Sequence, residues 1–133
     1  MNNTLTETGI IAIVDDDEAL REALGSVMKA AGFPANTFAS AEEFLNSAKL
    51  QETACLVLDV RLPGMSGIEL QRRLIEVQSP LPIVFVTAHG DASLRDLVMK
   101  AGAAGFLNKP VRSEALLKEI RAALANARTD KQS

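Results

Sequence analysis

Five short apolar segments alternate with five segments of helical periodicity, and this alternation constrains the fold more than any other feature of the sequence. The apolar segments are 10–14, 33–38, 55–58, 83–86 and 105–107. After each of them, apolar residues recur every three or four positions, which is the spacing of one helix face. Strict alternation of strand and helix predicts a parallel sheet with right-handed crossovers and helices on both faces. The predicted fold class is therefore α/β, a flavodoxin-like doubly wound sheet of five parallel strands in the order 2-1-3-4-5 with five helices.

Local signals indicate where several helices begin and end. Ser40 with Glu43, and Ser66 with Glu69, have the spacing of a capping box. In a capping box, each side chain of the pair accepts a hydrogen bond from the free backbone N–H of the other residue. Gly32 follows the first helical segment at the position of a C-terminal cap.

Two of the helices carry specific expectations. The second is expected to bury Phe44, Leu45 and Ala48. The last is expected to start at Ser113 and to continue through Ala127, followed by a polar end.

The length of 133 residues suits one domain, and no apolar run approaches the roughly 20 residues of a membrane-spanning helix. The N-terminus has no basic residue before an apolar segment, so a signal peptide is not expected. We expect a flexible tail at 1–9, one domain at 10–128, and a polar tail or the start of a linker at 129–133.

Charge and cysteine content exclude further classes. A net charge of -3 argues against a nucleic-acid surface within this segment, because such surfaces need clustered Lys and Arg. Cys55 is the single cysteine and lies within a predicted strand, which favours a buried small hydrophobe in a reducing cytoplasm. A nucleophilic role is not expected for it.

Polar residues follow four of the predicted strands. Asp15 and Asp16 come directly after the first strand, and Asp59 ends the third. Strands one and three are neighbours in the predicted order, and their carboxyl ends border the crevice where ligands bind in such sheets. Thr87 and Lys109 follow strands four and five at the same edge. For Asp59 taken alone, a simple role in ending the strand and capping a turn remains an alternative.

Converging carboxylates repel one another unless a positive charge neutralises them, and oxygen ligands favour Mg2+ or a similar hard ion. Lys109 would add a point charge suited to a phosphoryl group, and Thr87 a hydroxyl donor. A carboxylate beside Mg2+ can act as a nucleophile and form an aspartyl phosphate. The cluster therefore points to phosphoryl transfer.

Four strings resemble the signature regions of bacterial response-regulator receiver domains: IVDDDEALREAL, CLVLDVRLPGMSGIEL, IVFVTAHGD and KAGAAGFLNKP. They occur in the family's order between about Ile10 and Pro110, and SAEEFL and TAHGD are most similar to the FixJ-like branch. The resemblance implies that Asp59 is the phosphoacceptor, Asp16 a direct Mg2+ ligand, and Asp15 a partner acting through metal-bound water.

The resemblance extends to four further positions. It implies that the main-chain carbonyl of Arg61 completes the metal site and that Thr87 and Lys109 contact the phosphoryl group. Phe106 matches the family's aromatic switch position and would rotate inward when Thr87 moves toward the phosphoryl group. The family also usually has a cis peptide bond at the position of Lys109-Pro110.

Three residues have plainer interpretations. Asp17 is expected to cap the first helix and not to bind the metal, since Asp is a preferred cap. Phe106 could equally be a packed strand residue. His89, the only histidine, is interpreted as a solvated loop residue.

The implied function is a cytoplasmic switch. A sensor histidine kinase would phosphorylate Asp59, and the surface of the fourth helix and fifth strand would then change. FixJ-like relatives dimerise through this surface and carry a C-terminal DNA-binding domain, so a homodimer on phosphorylation and an output domain outside this chain are expected. A stand-alone receiver is the alternative.

Two other protein classes fit this sequence less well. A phosphatase of the haloacid-dehalogenase type needs a second acid two residues after the nucleophile, where this chain has Arg61. A flavin-binding module would lack its usual stacking partners, because the chain has no Trp or Tyr, and no phosphate-binding loop follows the first strand.

Overall fold

The computed structural model describes residues 9–88 and 90–132, with side chains as far as residue 127. The strands are β1 (Ile10–Val14), β2 (Ala35–Phe38), β3 (Thr53–Asp59), β4 (Ile83–Thr87) and β5 (Gly105–Asn108). The helices are α1 (Glu18–Ala30), α2 (Ala41–Asn46), α3 (Gly67–Glu76), α4 (Ala92–Lys100) and α5 (Ser113–Gln132), with a 3-10 turn at Leu50–Glu52. All strand pairs are parallel and the order is β2-β1-β3-β4-β5, so the predicted topology is confirmed.

The core has two layers, one on each face of the sheet. Leu56 and Leu58 of β3 face the layer that packs against α2, α3 and α4, while Cys55 and Val57 face the layer under α1 and α5. All four are at most 2% exposed. Burial of an aliphatic side chain of this kind contributes about 1.5–3 kcal/mol, so β3 is fixed on both faces. Burial also raises the pKa of the Cys55 thiol to about 12, which agrees with its interpretation as a buried hydrophobe.

Predicted helix signals are present at the ends of α1 and α3. The Asp17 carboxylate accepts a hydrogen bond from Leu20 N–H at 3.2 Å, so Asp17 is the N-cap of α1. Ser66 and Glu69 form a complete capping box at the start of α3. Gly32, with φ of 89°, lies just beyond α1 and donates to Lys29 O at 3.0 Å. These caps set the directions in which both helices leave the sheet edge.

The structure differs from expectation at several element ends. Helix α2 ends at Asn46, where the Ser47 hydroxyl donates to Phe44 O at 2.6 Å; Ala48 is exposed with φ of 63° and is not buried as predicted. Helix α5 continues past Ala127 to Gln132. Strand β2 starts at Ala35 and not at Phe33. Among the described residues, no helix has both the length and the hydrophobicity needed to cross a membrane.

Candidate functional site

Three carboxylates converge at the carboxyl edge of the sheet, as predicted. One oxygen from each of Asp15, Asp16 and Asp59 lies within 4.8 Å of the others. Asp15 and Asp59 are buried, at 3% and 6% exposure, whereas Asp16 is exposed. The convergence follows from the pairing of β1 with β3, because Val14 is in register with Leu58 and the next residues of both strands emerge together. The site is therefore built by the sheet itself.

Lys109 lies among these acids. Its Nζ atom is 2.9 Å from Asp15 Oδ2 and 2.9 Å from Asp59 Oδ2. The Lys109 backbone N–H donates to Thr87 O at 2.9 Å, and the Lys109-Pro110 bond is cis, as the resemblance implies. In this form of the protein one ammonium group bridges two buried carboxylates.

The two buried acids have partners for both of their carboxylate oxygens, whereas Asp16 is exposed to solvent. Asp15 Oδ1 accepts a hydrogen bond from Asp17 N–H at 2.9 Å, so both Asp15 oxygens have partners. Asp59 Oδ1 accepts from Arg61 N–H at 3.1 Å. Asp16 is the acid of the cluster that is exposed to solvent.

Burial dominates the titration behaviour of Asp59. Removal from water raises its pKa, and the negative charge of Asp15 adds to this, while hydrogen bonds from Lys109 and Arg61 N–H oppose the change without cancelling it. Burial lowers the pKa of Lys109, but its bonds to Asp15 and Asp59 outweigh this effect and the pKa is raised. Lys109 is therefore a cation at neutral pH, and the charge on Asp59 is costly.

The donor set fits a hard divalent cation. One ammonium can balance only one of the three carboxylates, which leaves excess negative charge in a partly buried cleft. All three acids offer oxygen ligands, the type that Mg2+ prefers. Mg2+ commonly binds through one or two carboxylates and keeps other positions for water or phosphate oxygens.

Thr87 and Phe106 lie on the two strands beside this cleft. Thr87 ends β4, is fully buried, and is in register with Asn108 of β5. Phe106 is 7% exposed and packs in the core layer of α2, α3 and α4, and a Cβ atom on Gly90 would collide with its ring. The Phe106 ring is already buried in the core in this structure. The expected inward rotation would therefore have to begin from a conformation in which the ring is exposed. His89 lies outside the described residues.

Residues 11–121 match the family model described as the response regulator receiver domain. The chain belongs to the response-regulator receiver family. Receiver domains are phosphoacceptor switches of two-component systems that are phosphorylated on an aspartate and work with histidine kinases. Membership decides against the phosphatase and flavin-binding alternatives.

Known receiver-containing proteins resemble this chain over most of its length. The response regulator protein TodT of Pseudomonas putida is 46% identical over 115 residues, which are 86% of this chain and 51% of TodT. The transcriptional regulatory protein FixJ of Bradyrhizobium diazoefficiens is 41% identical, covering 92% of this chain and 60% of FixJ. The solved structure of the response regulator StyR has a TM-score of 0.85 at 45% identity, covering 92% of this chain and 62% of StyR. The chain thus spans about half the length of the curated relatives it matches.

Two side chains of this receiver domain support the site in ways that the sequence analysis missed. Arg21 Nη1 donates to Asp15 O at 2.8 Å, and Glu42 Oε2 accepts from Met65 N–H at 2.8 Å. Arg21 lies one turn inside α1, so its proximity to the acidic loop was a local signal that could have been used. Glu42 and Met65 are 23 residues apart, and no local pattern connects them.

A close approach of backbone segments fixes the receiver domain's central strand end. Gly67 N–H donates to Val60 O at 2.9 Å, and a Cβ atom on Gly67 would collide with Asp59 O. Only glycine allows the first turn of α3 to lie directly against the end of β3. The Asp59 backbone is thereby held between the sheet and α3.

Proposed function

We propose that this chain is the phosphorylated input domain of a transcription regulator, in which Asp59 accepts a phosphoryl group from a sensor histidine kinase with the help of Mg2+. The observation that carries the proposal is the Asp59 carboxylate at the end of the central strand, 2.9 Å from the Lys109 ammonium and beside two further acids. In the transfer, an Asp59 oxygen forms a bond to phosphorus as the P–N bond of a phosphohistidine breaks. The departing nitrogen keeps the electron pair, and the ring leaves as neutral imidazole because the phosphohistidine is protonated on its other ring nitrogen.

Each neighbour of Asp59 has a distinct proposed role. Lys109 stabilises the charge of the phosphoryl oxygens, and Thr87 donates its hydroxyl to one of them. Asp16 would hold Mg2+ directly, which its exposure supports, and Asp15, which is buried and bonded to Asp17 N–H and Lys109, would act through water. The main-chain carbonyl of Arg61 would complete the set. Bound Mg2+ would offset negative charge on the transferring group.

The phosphorylated state is proposed to act through the surface of α4 and β5. The Leu97 side chain of α4 is 55% exposed, so it offers an apolar surface suited to a symmetric homodimer. The FixJ relative is a transcriptional regulatory protein, and a net charge of -3 favours an attached domain as the DNA-binding part. We propose that the receiver begins at residue 10 and acts in the cytoplasm. Because α5 continues to Gln132, residues 129–132 belong to its last helix and not to a tail.

Incubation with acetyl phosphate tests the proposal. Intact-mass spectrometry should show one added phosphoryl group per chain in the presence of Mg2+ and a large loss of this product with excess chelator. Absence of the product, or a product that does not depend on the metal, would contradict the proposed chemistry.

Sedimentation velocity tests the output step. With Mg2+ and beryllofluoride, a phosphoryl mimic, the wild type should shift from monomer toward dimer, and Thr87→Ala should not, because it lacks the hydroxyl that responds to the phosphoryl group. A monomer under both conditions rules out dimerisation of this domain as the output.

A further inference from the structure

The loop of residues 60–66 between β3 and α3 follows the proposed phosphoacceptor and carries the proposed Arg61 ligand. Much of it is exposed, including Arg61, Pro63 and Gly64. Exposed loops with few packing contacts sample several conformations, and a main-chain ligand is useful only if its loop is held in one of them. The contacts that fix this loop are therefore part of the site.

Hydrogen bonds fix the start of the loop both to the end of β3 and to the first residue of α3. Arg61 N–H donates to Asp59 Oδ1, and Gly67 N–H donates to Val60 O. Between these points the loop contacts Glu42, which belongs to α2, the helix that precedes β3 in the chain. Glu42 Oε2 accepts a hydrogen bond from Met65 N–H at 2.8 Å.

The loop folds closely over the Glu42 carboxylate. Gly64 has φ of 75°, and a Cβ atom there would lie 2.5 Å from Glu42 Oε2. Two consecutive loop residues, Gly64 and Met65, thus lie against one half-buried carboxylate. The Met65 N–H bond is the main cause that lowers the pKa of Glu42, so the acceptor is charged at neutral pH and the bond is charge-assisted.

We infer that Glu42 is a positioning residue for the metal site: its bond from Met65 N–H holds the 60–66 loop in the conformation that presents the proposed Arg61 carbonyl ligand. The inference rests on the proposed Mg2+ site. Without the Glu42 acceptor, the loop samples additional conformations in which the Arg61 carbonyl is misplaced. Part of the free energy of metal binding must then be used to order the loop, so the apparent affinity falls. Residues that orient metal ligands from outside the ligand set commonly change metal affinity by about 10–100-fold when replaced.

Calorimetric titration of the unphosphorylated domain with Mg2+ tests this inference. Glu42→Ala should weaken binding by about tenfold, the lower end of that range, because Met65 is four residues from Arg61. Glu42→Gln should recover most of the affinity, since an amide oxygen can still accept from Met65 N–H. Glu76→Ala, which removes an exposed carboxylate from the far end of α3, is the matched control and should bind as the wild type does.

Phosphorylation by acetyl phosphate at several Mg2+ concentrations supplies a second measurement. For Glu42→Ala the Mg2+ concentration at half-maximal rate should rise by a similar factor, while the rate at saturating Mg2+ stays within about twofold of wild type. If Glu42→Ala only destabilised the fold, the melting temperature would fall but the Mg2+ concentration at half-maximal rate would not rise.

The possible failures are distinguishable. A wild type that does not bind Mg2+ overturns the proposed function and this inference with it. A wild type that binds, with Glu42→Ala equal to Glu76→Ala, overturns this inference alone. Glu42→Gln as weak as Glu42→Ala also overturns it, because the acceptor oxygen would then not be what matters.

Discussion

Asp59→Asn is expected to accept no phosphoryl group from acetyl phosphate, a loss of roughly 100-fold or more in rate. The amide oxygen is a far weaker nucleophile than a carboxylate oxygen, while the side chain keeps its size. Its single oxygen can accept from Arg61 N–H or from Lys109, but not from both. Intact-mass spectrometry measures the product. Asp96→Asn, at an exposed position of α4, is the control and should be labelled normally. Undiminished labelling of Asp59→Asn, mapped to Asp16 or another site, would reject Asp59 as the acceptor.

The same variant should be more stable than wild type without metal at neutral pH. The pKa of Asp59 is raised in the folded state above its ordinary 3.8, so the folded protein holds this proton more tightly than the unfolded chain. The free energy of unfolding that protonated Asp59 contributes is fully present below pH 3.8. It is lost as the pH rises through the raised pKa of the folded state. Asn carries no charge and avoids this loss, so the melting temperature at pH 7 should increase by roughly 2–5 °C.

Differential scanning calorimetry across acidic to neutral pH checks the sign. The advantage of Asp59→Asn should shrink as pH falls toward 3.8 and below, where wild-type Asp59 is protonated in both states. An advantage that grew on acidification would show that desolvation of the Asp59 charge is not its cause. Asp96→Asn should show no such pH-dependent gain.

Asp16→Ala should weaken Mg2+ binding by roughly 100-fold or more, because it removes the exposed carboxylate proposed as the direct ligand. Mg2+ at 100 times its dissociation constant stabilises a native protein by about 2.7 kcal/mol, and the variant should lose this metal-dependent rise in melting temperature. Titration calorimetry and thermal melts with and without Mg2+ measure both effects.

The neighbouring acid provides a matched control for that experiment. Asp17 caps α1 through its bond from Leu20 N–H, and Asn is an equally good cap, so Asp17→Asn should preserve both stability and metal affinity. Wild-type affinity in Asp16→Ala would remove Asp16 from the metal site. A large loss in Asp17→Asn would show that the acidic loop binds metal in another way.

The fold was predictable because its signals are local and agree with one another. The apolar runs that became β3 and β4 are buried on both faces, and their alternation with helices leaves few possible topologies. The convergence of Asp15, Asp59 and Lys109 then follows from strand order alone, since the carboxyl ends of parallel strands share one edge.

What was missed depends on contacts or conformations without a periodic pattern. Helix α2 ends where the Ser47 hydroxyl donates a hydrogen bond to the Phe44 carbonyl, and the spacing of apolar residues could not indicate this bond. The Glu42 contact joins residues 23 positions apart and exists only once the loop and α2 are packed. The close approach of Gly90 to the Phe106 ring is likewise a tertiary contact, although the sequence analysis had kept a packed strand residue as one interpretation of Phe106.

The position of Lys109 bears on how the domain can exist before any metal arrives. Its ammonium group lies 2.9 Å from both Asp15 and Asp59, the two acids that are most removed from water. Without a counterion, two such charges would favour local opening of the sheet edge. Because the chain supplies that counterion from Lys109, directly after β5, we expect the domain to fold without divalent ions. Mg2+ would then be a reversible ligand of an assembled site and not a structural component.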